Sequence, residues 1–389
     1  MDTKVIESEW ELLTSFLPEG WEAAAKETGA MRRSRGQISC PSILLRVLLM
    51  HTATGLSLQQ TAARAKLQDI AEISDVGLLK RLRSSEGWLR ELARKMFERS
   101  RFSQACAQAP MGRRLRAVDA TTVQEPGATG TSWRVHYCIG IPDMRCDFYQ
   151  ISDVKGGESY KRLCVERGDV ILADRGYCHR EGVAHIMDQN AEVIVRLNST
   201  SFPLLYGQDN EKAFDMLLHL RELKTGQAGE WPVGFKFKSK VYDGRLCAMR
   251  KSAVAAEIAK KKAINEAKKK QRAIRAETLE FAEYVFIFTN VGEKILNVSE
   301  VLELYRARWQ IELCFKRFKS LLSLGHLPKK TDTSARAWIE GKLLAVMLIE
   351  QLVDEANFFP LGIQNLFVEV IGENLLRLAT QFCRCLGRL

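Results

Sequence analysis

No two cysteines in this 389-residue chain are spaced as C-x2-C. The ten cysteines are scattered, and the nearest two are Cys383 and Cys385. That pattern argues against a zinc ribbon or a redox dithiol and reads as reduced thiols in a cytoplasmic protein. The acidic-flanked N-terminus lacks a signal peptide, which fits the same compartment. Apolar runs long enough to cross a bilayer are missing too. LLAVMLI is too short and ILLRVLLM is interrupted by Arg46, so no membrane is expected as a partner. There are no internal repeats, and the one low-complexity stretch is a lysine run near residues 260–270. Acidic residues are outnumbered, 47 against 58 Lys and Arg, for a net charge of +11. Such an excess favours a polyanionic partner, with nucleic acid first, but charge alone does not separate a nucleic-acid binder from a basic globule. The length leaves room for two or three domains with ample core.

What is present is concentrated in VLELYRARWQIELCFKRFKSLL, residues 301–322. Tyr305, Arg308, Glu312 and Lys319 follow at offsets of 3, 4 and 7. On one continuous helix they share an arc of roughly 60°, and Lys316 joins them. Leu304, Ile311, Phe315, Phe318 and Leu322 flank that arc on one side, and Leu302, Trp309 and Leu313 on the other. Glu303, Arg306, Gln310 and Arg317 take the solvent face. One carboxylate among cations, walled by apolar residues, suits a site that handles a metal and a polyanion together. Trp309 is expected to pack into the core.

The spacing Y-x2-R-x3-E-x6-K resembles the YREK signature of cut-and-paste DDE transposases of the insertion-sequence-four type. In that family the Glu is the third metal-binding carboxylate, and two Asp precede it. RLRAVDATTV reads as a strand with Asp119 near its end. DVILADRGYCHREGV reads as a strand ending at Asp174, followed by Gly176 and a helix. The resemblance covers residues 113–325 and implies that Asp119, Asp174 and Glu312 are both catalytic and metal-binding. It also implies Mg2+, with Mn2+ able to substitute, as two ions per active site. The implied partners are double-stranded DNA, as terminal inverted repeats and target, held by a homodimer in a synaptic complex. The implied location is the bacterial cytoplasm, on the nucleoid when acting. A hairpin intermediate belongs to the same implication.

The expected fold class is α/β, with a ribonuclease-H-like mixed-sheet core, an inserted β-rich subdomain and an N-terminal all-helical domain. Residues 1–110 read as helices. Pro41 opens one, and Ser57 and Ser74 start two more, the second carrying Lys80, Arg81 and Arg83. This pair is compatible with a helix-turn-helix-like DNA reader or with an ordinary helical bundle. The loop MRRSRG is a candidate for phosphate contacts or a solubilising loop. The catalytic domain is expected over 113–330. In order it runs RLRAVDATTV, SWRVHYCIGI and CDFYQISDV as strands, SYKRLC as helix, DVILAD as strand, REGVAHIMDQ as helix and EVIVRLN as strand. In a ribonuclease-H-like fold the first and fourth strands are central neighbours, which brings Asp119 and Asp174 together across 55 residues of sequence. The β-rich insertion is expected at 199–280, with Tyr242-Asp243-Gly244-Arg245 as a turn and then a lysine-rich helix, either solvated or facing phosphates. EYVFIFTNV returns as a strand, Ser299 caps the signature helix, and 331–389 is a helical C-terminal region.

Phosphodiester cleavage needs an activated nucleophile and a stabilised leaving oxygen. Two hard cations on oxygen ligands supply both. Asp119 would bridge the two ions, and Asp174 and Glu312 would each complete one. Tyr305, Arg308, Lys316 and Lys319 resemble the family's DNA-backbone contacts. Arg308 also has an ordinary role open to it, an i,i+4 ion pair that orients Glu312. His136, on the second strand, is a candidate phosphate or metal-shell contact or a structural polar residue. Arg175 is a candidate DNA contact, and Trp231 a candidate for stacking an extruded base. Two other readings stay open: a DNA-binding relative without catalysis, and a ribonuclease-H-like nuclease without strand transfer.

Overall fold

The computed structural model describes residues 3–32, 38–104, 112–128, 130, 132–141, 145–206, 212–328 and 331–358. The RSRG part of the arginine loop, the Cys383–Cys385 pair and everything beyond 358 lie outside them. Six helices come first: α1 (Thr3–Ser15), α2 (Trp21–Glu27), α3 (Pro41–Thr54), α4 (Leu58–Leu67), α5 (Asp75–Ser84) and α6 (Glu86–Gln104). Pro41 occupies the first turn of α3, where its missing N–H costs nothing. Ser57 caps α4 in a reciprocal capping box with Gln60, and Ser74 caps α5 by accepting from the Gly77 amide. Leu78 and Leu82 bury one face of α5, while Lys80 and Arg83 are exposed on it.

Three strands follow, β1 (Arg114–Val123), β2 (Trp133–Ile141) and β3 (Cys146–Asp153), then β4 (Asp169–Ala173), α7 (Arg180–Asp188) and β5 (Glu192–Arg196). SYKRLC forms only a single 3-10 turn, Tyr160–Arg162, and not the expected helix. Five residues separate Arg162 from Gly168, whose φ of 87° turns the chain straight into β4.

Residues 199–280 contribute β6 (Leu205–Tyr206), α8 (Met216–Leu220), β7 (Ala228–Phe237), β8 (Lys240–Arg250), α9 (Ala253–Lys269) and most of α10 (Ala276–Phe281). β9 (Tyr284–Thr289) then returns to the centre. All nine strands form one sheet in the order β3-β2-β1-β4-β5-β9-β8-β7-β6, so the β-rich segment extends the central sheet edge to edge. Tyr242–Arg245 is not the turn. The chain reverses at Lys238-Ser239, with Lys238 at φ 55°, and 242–245 lies inside β8. Gly244 is needed there for closeness. A Cβ on it would stand 2.5 Å from the Phe288 ring and 2.7 Å from the Thr289 carbonyl oxygen.

The chain closes with α11 (Val298–Ala307), α12 (Trp309–Leu321) and α13 (Asp332–Phe358). Asn297, not Ser299, caps α11, in a capping box with Glu300. One core cluster joins one face of the sheet, the N-terminal helices and α11–α13. At Gly341 on α13 the helices come close: an added Cβ would meet Thr52 Oγ1 of α3 at 2.7 Å. A second cluster, including Tyr160, Tyr177, Phe202 and Phe288, fills the other face. Under the sheet, Arg116 is fully buried, holding Asp147 through two hydrogen bonds and Asp169 through Nη1 at 2.9 Å. This network ties β1, β3 and β4 together. Among the described residues no helix is long and apolar enough to cross a membrane, and the seven described cysteines are free thiols.

Candidate functional site

The two aspartates meet because β1 and β4 run parallel as neighbours. Their pairing ends at Val118 opposite Ala173, and the next residue on each strand is Asp119 and Asp174. Asp119 is mid-strand, since β1 continues to Val123 along β2. Its Oδ1 accepts the Ala120 amide at 2.7 Å. Asp174 caps the 3-10 turn Arg175–Tyr177 and accepts the Gly176 amide at 2.7 Å. The helix bearing Glu312 is fastened by apolar contacts. Tyr137, opposite Asp119 on β2, meets the Phe315 and Phe318 rings edge-on at 6.0 and 5.4 Å. The buried Lys342 donates to the Leu322 carbonyl at the far end of α12, where cationic charge complements the helix dipole.

The signature segment is not one helix. Arg308 separates α11 from α12 in a tight turn: its amide bonds to the Tyr305 carbonyl, and the Ile311 amide to its own carbonyl, both three residues apart. Such geometry advances about 120° per residue, against 100° in an α-helix. The turn therefore rotates everything after it relative to a continuous helix. Ile311, Phe315, Phe318 and Leu322 are buried as the pattern requires, but Trp309 is 49% exposed and does not join the core. Lys316 sits over its ring at 5.9 Å.

Arg308 is the junction of the site. Its Nη2 donates to Glu312 Oε1 at 2.6 Å, its Nη1 stands 3.9 Å from Asp119 Oδ2, and its guanidinium lies 5.6 Å from the Tyr305 ring centre. Nε and Nη1 are buried without a hydrogen-bond partner. The site therefore holds a cation with two unused donors, a geometry that a phosphate oxygen satisfies.

Burial, reinforced by the nearby Asp174 and Glu158, pushes Asp119 up to about 7 against the pull of the Ala120 amide and Arg308. Burial also raises Glu158, and Asp174 adds to it. Glu158 carries no signal in the sequence. It lies in the loop after β3 with its carboxylate against Gly176, where an added Cβ would fall on it. Nothing in SDVKGGESY marks it, because only the fold brings that loop to Asp174.

The other candidates fall at different places. Lys316 and Lys319 are exposed on α12, and Arg175 is exposed beside Asp174. His136 pairs with Ala120, one residue on from Asp119, so alternation puts its side chain on the opposite face. It is buried there against Ser152 Oγ at 2.9 Å, and burial followed by Arg162 and Arg134 lowers it to about 4. Trp231 lies on β7, five strands from β1 in the sheet order, or about 24 Å at the usual strand spacing. Its ring meets His219 at 5.7 Å. The structure brings neither His136 nor Trp231 to the aspartates of the same chain.

Residues 110–348 match the family model described as the transposase DDE domain. The chain belongs to the DDE transposase family. It is 35% identical to the putative transposase InsL of insertion sequence element IS186A of Escherichia coli (strain K12), over 88% of this chain and 93% of that one. It is equally similar to the transposase of insertion sequence element IS421 of Escherichia coli, with the same coverage. Among solved structures, a piggyBac transposase synaptic complex with hairpin DNA superimposes with a TM-score of 0.46 at 8% identity, covering 98% of this chain and 81% of that one. The chain is thus an insertion-sequence transposase of the insertion-sequence-four type, from a family whose members cleave DNA and transfer strands.

The family uses divalent metal, and the donor set here suits one. The Asp174 carboxylate adds to the upward shifts of both Asp119 and Glu158, a crowding of negative charge that a hard cation relieves. Glu312 is held apart by Arg308, and among the described residues no three acidic, His or Cys side chains are already gathered tightly enough to hold an ion.

Proposed function

We propose that the transposase binds the terminal inverted repeats of its element as a homodimer, and that Asp119, Asp174 and Glu312 on a ribonuclease-H-like core carry DNA cleavage and joining. On this reading residues 1–110 engage the DNA ends, 113–330 form the catalytic unit with 199–280 as its β-rich extension, and α13, the described part of 331–389, packs on the N-terminal helices. Asp119, Asp174 and Glu312 would hold Mg2+ or Mn2+, as two ions. When bound, the metal activates the attacking oxygen and stabilises the leaving one.

The chain's own side chains do the rest. Arg308 exchanges its bond to Glu312 for the scissile phosphate, which fills its unused donors and frees Glu312 for the metal shell. Tyr305 holds the guanidinium plane from behind. Lys316, Lys319 and Arg175, all exposed at this edge, contact neighbouring phosphates.

The observation that carries the proposal is the position of Arg308 between Asp119 and Glu312 with Nε and Nη1 buried and unbonded. The test is strand cleavage on end-labelled DNA carrying the element's ends, with Mg2+, with Mn2+ and with chelator. Metal-dependent nicking at the end, lost in Glu312→Gln while binding persists, supports the reading. Joined products distinguish a transposase from a nuclease. Binding without cutting under any metal would leave only the DNA-binding role.

A further inference from the structure

We infer that DNA leaving the active site is guided by a cationic track that runs from Arg308 through Arg196 and Lys251 to the outer face of α9. The inference rests on the DNA-cleavage reading above and assigns a surface to it.

The sheet topology places the track. β5 is parallel to β4, so its last residue, Arg196, lies at the same sheet edge as Asp174. β9 runs antiparallel to β5, and β8 antiparallel to β9, with Arg250 opposite Tyr284. The end of β8 and the start of β9 therefore lie at that edge as well. Helices α9 and α10, inserted between them, depart from the active-site side of the sheet.

The electrostatics connect these points. Arg196 is exposed, and its charge reaches Tyr305 on one side and Lys251 on the other. Lys251 donates to the Ala282 carbonyl at 2.6 Å, and Ser252 beside it caps α9. Arg308, Arg196, Lys251 and the root of α9 thus follow one another along the sheet edge that carries Asp119 and Asp174.

α9 itself needs a partner to explain it. It is 17 residues long and buries none of them, whereas helices in proteins draw most of their stability from packing one face. Ala256, Ala259, Ala263 and Ala267 form its half-buried inner side, and Lys260 ties it down to Glu283 at 2.7 Å. Lys262 and Lys269 lie seven residues apart on one flank of the helix, exposed and without an ion pair among the described residues. Lysines on a free face at a catalytic edge match a polyanionic backbone in charge, and compact ammonium groups contact phosphates without reading sequence.

The test measures affinity for a duplex carrying the element's end against salt concentration, in chelator, so that no cleavage intervenes. Each lost phosphate contact should reduce the steepness of the log–log plot by about 0.9. Arg196→Gln/Lys251→Gln and Lys262→Gln/Lys269→Gln should each flatten it by about one to two. Lys236→Gln/Lys238→Gln, at the opposite sheet edge, should leave it unchanged. Circular dichroism and melting check that each variant folds. Unchanged slopes in both track variants would overturn the inference, as would a change in oligomeric mass without a change in slope, which would assign α9 to a second copy. Normal cleavage by wild type with unchanged slopes would sink the track alone. Reduced slopes with no cleavage under any metal would sink the catalytic reading and leave the track standing.

Discussion

Arg308 Nη2 donates to Glu312 Oε1 at 2.6 Å, across the tight turn that divides the signature segment into two helices. The same side chain faces Asp119, so one guanidinium sets the relation between Glu312 and Asp119. Arg308→Ala is expected to lower single-turnover nicking by about 10²–10³, the usual loss when one preorganised charge donor is removed. Arg308→Lys should recover little, because one ammonium cannot reproduce the planar fork. Nicking measured beside DNA affinity separates this from lost binding, and near-normal rates in Arg308→Ala would count against the arrangement.

The pH dependence follows from Asp119. Its value of about 7 in the fold lies above the ordinary 3.8, so the folded chain keeps a proton that the unfolded chain gives up. Its contribution to stability is full below about pH 4 and is lost as pH rises through about 7. Buried Glu340, also near 7, acts in the same direction. His136, lowered to about 4, acts oppositely, with stability present above its ordinary 6.5 and lost as pH falls through 4. Asp119→Asn should therefore stabilise the metal-free protein by on the order of 1–3 kcal/mol near pH 8 and by little near pH 4, read from urea midpoints.

Metal affinity should rise with pH and level off above about 7, with a proton released on binding below that point. Glu158→Gln removes one of the charges that raise Asp119, so the midpoint of this profile should move to lower pH. Calorimetry in buffers of different ionisation enthalpy counts the protons. A midpoint unmoved by Glu158→Gln would place Glu158 outside the electrostatics of the site.

Two structural substitutions have definite expectations. Gly244→Ala forces a methyl against the Phe288 ring and the Thr289 carbonyl and should cost about 1–3 kcal/mol. Asp147→Ala leaves the buried Arg116 guanidinium without its two-bond partner and should cost about 3–5 kcal/mol. Both are read by urea denaturation, and losses well below these ranges would mean the sheet relaxes around the site.

Much of this was legible in the sequence because it rests on periodicity and local chemistry. The apolar stretches around Asp119 and Asp174 are buried strands, Ser57 and Ser74 cap their helices, and Ile311, Phe315 and Phe318 form the ridge that docks α12. What escaped depends on contacts between distant segments. The break at Arg308 contains no Pro or Gly, so nothing local announces it, and the exposure of Trp309 follows from it. The hairpin turns on a left-handed Lys238, while the glycine that resembled a turn residue is reserved for Phe288 on another strand. Glu158 becomes a site neighbour only once its loop is folded over Gly176. His136 faces away because it pairs with Ala120 and not with Asp119, a register that no single strand specifies.

The most direct test of the triad is a change of metal preference. A thiolate binds Mn2+ or a softer ion in preference to Mg2+. Asp119→Cys, Asp174→Cys and Glu312→Cys are each assayed for strand cleavage in Mg2+ and in Mn2+, with Arg308→Cys as a control. The account predicts that all three carboxylate variants lose cleavage in Mg2+ and regain part of it in Mn2+, while Arg308→Cys is not rescued. Full Mg2+-dependent cleavage by Glu312→Cys, or rescue of Arg308→Cys by Mn2+, would contradict it.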